Sequence, residues 1–502
     1  MDESASIAEI GAEQAREAGG ENAVSPARTG MILATVCLVQ LMVVLDVSVV
    51  NVALPSIDRA LGFSAGALSW VVNAYTLVFG GLLLLGGRVA DLVGARRAVL
   101  TGLGLFALAS VLGGFAQDPG QLIAARAGQG LAGAVLAPVS LVIIMVTFPE
   151  GPVRSRAIGV WAMVAASGSA VGVLLGGLLT DLLDWRWVLF VNVPIVAVAF
   201  ALALRSVPGT RRTGGRRLDV VGSVLGTAAV ALLVYAMVEA GERGWGSGVT
   251  VTALVLTVVC AVLFGAWEQW VAAEPLVRPG LVGVRTVWVA TLVVAFIGAA
   301  TIAGFYFASL FLQDVLGYSP LRAGVAFLPF CAGVVLGAFA SGPLAARWGN
   351  RLVISGGLLL GAVGMLLFSR LQADSTFLSG FVLPSVVASA GIGACMVANT
   401  SMGISGVAHH ESGMASGLIN AARQCGGSIG LAALSTVAVS AAPHATAPNT
   451  AQALVHGYDR AFLVAGLCVL VAAAVAAIFV PSRSPGRPEP ATGGDDALPG
   501  RP

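Results

Sequence analysis

The chain has 502 residues, 57% of them apolar and 10% charged, with a formal net charge of +2 and a mean hydropathy of +0.91. A soluble domain carries about 25% charged residues, so a soluble globular fold is excluded. The near-neutral balance also removes the basic excess on which nucleic-acid binding depends.

In chain order, residues 1–29 are polar, small and mixed in charge. They lack the basic start and apolar run of a signal peptide and read as a disordered cytoplasmic tail. The apolar residues that follow come in blocks of about twenty, the length that crosses roughly 30 Å of hydrocarbon. Fourteen spans are predicted, near 30–53, 67–87, 98–116, 121–147, 157–180, 186–205, 219–239, 248–271, 286–311, 321–345, 352–371, 378–403, 412–440 and 458–480. Residues 481–502 read as a second disordered cytoplasmic tail.

All basic residues are arginine, which with the Ala, Gly and Val content points to a GC-rich, bacterial genome. Arginines crowd the loops on the side of the two tails about three to one over the opposite loops, and the densest cluster is "RSVPGTRRTGGRRLD" at 205–219. The positive-inside rule therefore places both termini in the cytoplasm.

An internal repeat organises the spans. "GGRVADLVGARRAVLTGLGL" at Gly86 is echoed by "SGPLAARWGNRLVISGGLLL" at Ser341. Gly87, Gly94, Arg96 and Gly102 recur as Gly342, Gly349, Arg351 and Gly357, each 255 positions on (342 − 87). The same step carries the start of the first span to the start of the ninth. The expected fold is all-α and polytopic: a six-helix bundle over 30–205, an arginine-rich loop and two extra central helices over 206–285, and a second six-helix bundle over 286–480. Parallel repeats of this kind place a substrate site between the halves near the bilayer midplane.

Several polar residues stand where lipid would reject them. Asp46, in "LDVSVVNVALP", is one of very few acids inside a span. An intramembrane acid costs roughly 2.5–3.5 kcal/mol on insertion scales, so it reads as a proton- or cation-handling group in a watery cavity, or as a local structural acid. Arg126, in "RAGQGLAGAVLAP", shares a helix face with Gly130, Gly133, Ala134 and Ala137, a small-residue stripe that packs on another helix. In "GSAVGVLLGG", Gly168, Gly172 and Gly176 form a second stripe. In "NAARQCGGSIG", Asn420, Arg423, Gly427 and Gly430 share a face, so that Arg423 could pair with an acid or with an acidic substrate. In the loop "GGRVADLVGARR", Gly87, Arg88, Asp91, Gly94, Arg96 and Arg97 can make ion pairs in one state and break them in another. The six cysteines lie in apolar segments without a CxxC and read as inert thiols. The four histidines, two of them the pair His409–His410, suggest no metal site.

Taken together these stretches resemble the major facilitator superfamily, and in particular its fourteen-span drug:proton antiporter family. "LDVSVVNVALP" is similar to that family's first-span signature, "GGRVADLVGARR" to the loop 2–3 motif, "RAGQGLAGAVLAP" to the span-4 motif whose arginine is linked to proton transfer, and "GSAVGVLLGG" to the span-5 antiporter motif. Val173 stands where that last motif usually has proline. "WRWVLFVNVP", "LFLQDVLGYSPLRAGVAFLP" and "NAARQCGGSIG" extend the resemblance over nearly the whole chain outside the tails.

The resemblance implies a monomeric multi-pass protein of the cell membrane, neither an enzyme nor in need of a cofactor. It would exchange protons for small amphipathic or cationic molecules such as drugs and antibiotics. Asp46 and Arg126 would carry the proton coupling, the loop 2–3 residues and the span-5 glycines the gating. Asn73, Trp161, Tyr306, Asn399, Asn420 and Arg423 are candidates for the substrate cavity. Two other readings stand beside it: a transporter dedicated to an endogenous metabolite or siderophore, and a membrane sensor or passive pore without proton dependence. No GxxxxGK[ST] loop is present, which argues against an ATP-driven pump.

Overall fold

The computed structural model describes residues 26–481, apart from 65, 150, 209–218, 274, 277, 372–376, 408–410 and 442–449. Most of both predicted tails (1–25 and 482–502), most of the arginine-rich loop and the His409–His410 pair thus lie outside the described residues; residues 26–29, predicted as tail, are instead the first turn of a helix. Within them the chain is almost entirely helical, as a lipid-embedded backbone requires: helices satisfy their own N–H and C=O groups where no water can.

Six long helices build the N-terminal bundle: α1 (Pro26–Leu61), α2 (Trp70–Val93), α3 (Ala95–Gly114), α4 (Pro119–Thr147), α5 (Pro152–Leu182) and α6 (Asn192–Ser206). A one-turn helix, Trp187–Phe190, leads into α6. Two accessory helices follow, α7 (Val220–Arg243) and α8 (Gly248–Ala266). The C-terminal bundle comprises α9 (Arg285–Leu310), α10 (Leu328–Phe368), α11 (Leu383–Ser405), α12 (Ser412–Ala441) and α13 (Thr450–Phe479). Side chains start several of these helices. Asp118 accepts from the Gln121 amide at 3.0 Å, and Asp219 from the Gly222 amide at 2.8 Å. Each satisfies an amide that the first helical turn leaves open.

Thirteen helices are long and apolar enough to cross a membrane among the described residues, against fourteen predicted spans. The difference lies in α10, whose 41 residues hold both spans 10 and 11. They are divided at Gly349, where φ is 81° and ψ 157°. Gly94, its counterpart in the repeat, has φ 86° and ψ 142° at the start of α3. Both glycines therefore take the same positive-φ turn, open to glycine and strained for other residues. The repeat read from the letters is present in the backbone.

The first bundle packs around Tyr75, Phe79, Phe106 and Leu136. The second holds a chain of aromatic contacts through Phe305, Phe327, Phe368, Phe381 and Phe462. Helix α7 lies along the seam between them. Thr436 of α12 donates to the Met237 carbonyl at 2.5 Å, and Ser64, ahead of α2, donates to Glu242 at 2.6 Å. Helix α8 turns much of its apolar surface outward, with Val255, Val258 and Val262 exposed. From α8 the chain crosses to α9 by a linker attached to both bundles. Arg88 of α2 donates to the Pro275 carbonyl at 2.7 Å, Arg278 pairs with Glu411 at 3.3 Å, and Leu281 is buried against the α9 and α12 ends.

Candidate functional site

The buried polar centre lies inside the N-terminal bundle. Asp46, on α1, is 0% exposed and Arg126, on α4, is 1% exposed. Arg126 Nη1 reaches Asp46 Oδ2 at 2.5 Å. The other carboxylate oxygen, Oδ1, accepts from Gln129 Nε2 at 2.9 Å and from Asn192 Nδ2, at the start of α6, at 2.8 Å. Gln129 lies one turn after Arg126, so α4 presents both to the same acid. Gln129 Oε1 accepts from Arg126 Nη1 at 2.7 Å, and its Nε2 also donates to Ser110 of α3 at 2.9 Å. Arg126 spends its Nε on the Val71 carbonyl of α2 at 3.0 Å, and its guanidinium lies 4.5 Å from the Tyr75 ring centroid. Helices α1, α2, α3, α4 and α6 thus converge on one carboxylate.

This arrangement explains how the fold tolerates an acid in lipid. The charge is paired and its remaining lone pairs are met, the condition under which ions are buried. The small residues after Arg126 set the depth of approach. A Cβ at Gly130 would lie 2.5 Å from the Tyr75 carbonyl, so α2 and α4 touch backbone to backbone there.

The opposite side of α1 meets the glycine stripe of α5. A Cβ at Gly172 would stand 2.6 Å from Ser48 Cβ, and one at Gly176 2.7 Å from the Val49 carbonyl. Gly168 faces Leu41 and Val44. Helix α5 runs unbroken past Val173, the place where the resembling motif has proline. Asp46 therefore sits on a helix clasped between a polar cluster and a tightly packed glycine stripe.

The same helices carry contacts to the other half. Ser309, at the end of α9, and Gln313, in the π-turn Phe311–Val315 that follows it, donate to the carbonyls of Asn51 and Val52 at 2.8 Å each. Thr76 of α2 and Ser428 of α12 share a hydrogen bond of 2.6 Å. On α5, Gly177 abuts Pro320 and Leu321, in the short helix Pro320–Ala326 that precedes α10. Val173 lies against Gly324 of that helix. The α1, α9 and α5 contacts gather toward the arginine-poor face.

The remaining candidates are dispersed. Arg88 and Arg96 both reach backbone carbonyls, Pro275 at 2.7 Å and Leu204 at 2.6 Å. Gly87 faces Pro138, while the side chain of Asp91 lies outside the description. The Arg97 carbonyl accepts from Thr101 within α3. Asn73 is fully buried on α2, and both its amide atoms lack a partner among the described residues. Trp161 donates to Ser140 at 3.2 Å, and Asn399 donates to the Ala290 carbonyl at 2.9 Å. Tyr306 is buried edge-on against Phe307. Arg423 donates to Asn420 at 3.0 Å, and no acid pairs with it among the described residues. Asp46 and Arg126 were legible in the sequence; Gln129, Asn192 and Ser110 were not singled out. The signal for the two amides was there, since a buried amide in an apolar span needs a partner as an acid does.

The family follows from comparison with known proteins. A model of the Major Facilitator Superfamily matches residues 36–431. The chain belongs to this superfamily. Its similarity to curated members spans nearly the full length. The puromycin resistance protein pur8 of Streptomyces alboniger is 43% identical over 480 residues, 94% of each chain. The cephamycin export protein CmcT of Amycolatopsis lactamdurans is 42% identical over 426 residues, covering 84% of this chain and 87% of that protein. Among solved structures, a bacterial homologue of the human lysosomal transporter Spinster, inward-facing and unoccupied, aligns with a TM-score of 0.65. It is 16% identical and covers 91% of this chain and 98% of its own, a likeness of fold. The chain is thus a multi-pass membrane protein of a transporter superfamily.

Proposed function

We propose that the protein is a proton-coupled antiporter that exports small amphipathic or cationic molecules, antibiotics among them, by rocking its two bundles about a central cavity. The observation that carries this reading is the buried Asp46–Arg126 pair, set on helices that also make the cross-half contacts. Protonating Asp46 removes the charge that holds Arg126. The loosened α1 and α4 then bias the contacts at Asn51, Val52 and Thr76, a turn or two away. In this scheme the arginine-rich face is cytoplasmic and the arginine-poor face, where α1 and α5 touch the second half, is outside. Gly168, Gly172 and Gly176 supply the surface on which α1 and α5 slide. Arg88, Asp91, Arg96 and Arg97, with Gly87 and Gly94, govern the cytoplasmic gate. Asn73, Trp161, Tyr306, Asn399, Asn420 and Arg423 are the cavity residues of this reading. The proton gradient is the only energy source it invokes, with no cofactor, and the unit is a monomer. The similarity to pur8, a puromycin resistance protein, and CmcT, a cephamycin export protein, supports the drug-export reading. Because the latter concerns one compound class, export of a single dedicated metabolite is the second reading.

The test uses inside-out vesicles with an acidified lumen. Ethidium or puromycin added outside should dissipate the gradient with the native protein and leave it intact with Asp46→Asn. Equal dissipation by both proteins would remove Asp46 from the mechanism.

A further inference from the structure

The hydrogen bonds at Asp46 pose a problem for any proton that arrives there. Oδ2 is taken by Arg126, and Oδ1 already receives two N–H groups, from Gln129 and Asn192. A carboxylic O–H on Oδ1 would point at donors and find nothing to accept it. Gln129 cannot change this, because its Nε2 serves both Asp46 and Ser110 and its Oε1 is held by Arg126. Asn192 can. It is fully buried, its Nδ2 donates to Asp46 at 2.8 Å, and its Oδ1 has no hydrogen-bond partner among the described residues. A buried, orphaned acceptor beside an ionisable group calls for an explanation.

We propose that Asn192 is a two-way amide that serves both protonation states of Asp46, donating Nδ2–H to the carboxylate and, after a half-turn about its Cβ–Cγ bond, accepting the acid's O–H through Oδ1. This inference rests on the reading of Asp46 as the proton carrier. In the step itself, a hydronium ion from the aqueous phase gives its proton to Asp46 Oδ1 and leaves as water. The new O–H bond points at the turned Asn192 Oδ1. Arg126 stays at Oδ2, now facing a neutral acid, and its guanidinium has lost its counter-charge. The proton thus loads the oxygen that the arginine does not occupy, and release of Arg126 follows protonation instead of preceding it. The two amide faces are nearly equal in size, so the turn needs no repacking. It exchanges one unmet group for another while gaining an O–H···O bond, which keeps the two states close in energy, as a reversible carrier needs. The titratable groups that the structure sets against Asp46 are Arg126 and Tyr75; Ser110, Gln129 and Asn192 are neutral.

The test compares native protein, Asn192→Leu and Asn192→Ser in proteoliposomes, measuring ethidium-driven proton exchange across a series of lumenal pH values. Leucine has no polar atom, whereas the serine hydroxyl both donates and accepts. Exchange by Asn192→Leu should fall about tenfold near neutral lumenal pH, the rate equivalent of one hydrogen bond. The deficit should shrink as the lumen is acidified, because mass action replaces the missing acceptor. Asn192→Ser should regain most of the loss. A deficit of the same factor at every pH would mark Asn192 as structural and overturn the proposal, as would an unchanged leucine variant. Should Asn192→Leu not fold, Asn192→Ala is measured in the same way. Asp46→Asn runs alongside: if it too retains proton exchange, the carrier reading itself has failed. If only Asp46→Asn loses exchange, the amide proposal alone falls.

Discussion

The two bundles share a frame and differ in what they bury. Stepping 255 positions from Asp46 reaches Thr301, whose hydroxyl bonds its own helix at the Ile297 carbonyl, 2.7 Å away. Across the next helix the step is 259 (391 − 132), since Gly102 meets Ala132 and Leu136 while its counterpart Gly357 meets Gly391 and Cys395. Arg126 thus answers to Ser385, 1% exposed, one turn from Phe381, which packs edge-on against Phe327 and Phe368 with centroids 5.7 and 5.6 Å away. Where the first half holds a charge pair, the second holds two hydroxyls beside a cluster of rings. Neither rings nor hydroxyls offer a carboxylate here, so in the proposed mechanism the proton acts on the first bundle. The backbone frame is nonetheless common to both. Gly427, the counterpart of Gly172, presses on Gly298 and Ile302 of α9 as Gly172 presses on α1.

The sharpest way to break this comparison is to neutralise each half in turn. Asp46→Asn should lower drug-driven proton exchange in proteoliposomes by about a hundredfold or more, the scale of a lost proton-transfer group. Thr301→Val should leave exchange within about twofold, since its hydroxyl serves only its own helix turn. A comparable loss from both would show that the halves share the coupling.

Stability separates them next. Arg126→Leu strands a buried carboxylate and should cost about 3–5 kcal/mol in unfolding assays. Phe381→Ala should cost a similar 3–5 kcal/mol through the cavity it opens. Adding Asp46→Asn should restore most of the stability lost in Arg126→Leu, because a buried pair is replaceable by neutral groups. It should do nothing for Phe381→Ala. Smaller effects belong to the shared frame. Gly172→Val and Gly427→Val should each destabilise by about 1–3 kcal/mol through overpacking, read as a fall in melting temperature. An effect in one half alone would show that the repeat is not mechanically equal. The smallest belongs to the seam. Ser309→Ala removes one cross-half hydrogen bond, about 0.5–1.5 kcal/mol. It should speed alkylation of a Val52→Cys thiol by a membrane-impermeant maleimide.

Much of this was legible in the letters. Apolar blocks set the helices, the glycine–arginine echo set the two halves, and Asp46 stood out because lipid makes an acid costly. The superfamily resemblance drawn from the motifs is the family the comparison with known proteins shows. The sequence was least informative where meaning depends on rotation and meeting. Asn192 and Gln129 are ordinary polar letters until three helices turn them toward one oxygen. Tyr306 and Asn399 looked alike as cavity residues, yet one lies among rings and the other bonds a backbone carbonyl. Two predicted spans meet at Gly349 with no loop between them, since a single positive-φ residue turns the chain there. The predicted roles of the two central helices were open, and packing divides them: α7 is wedged on the seam, α8 faces outward.

The linker between α8 and α9 sets a mechanical limit. Its Pro275 carbonyl is fastened to Arg88 of the first half, and its Arg278 to Glu411 of the second. Only two residues separate these anchors, and the three Cα–Cα steps extend to at most about 11 Å. While both fastenings hold, the arginine-rich ends of the two bundles are on a short leash at this point. Any wider opening has to let go of one buckle first, and the exposed Arg278–Glu411 pair is the cheaper of the two to undo.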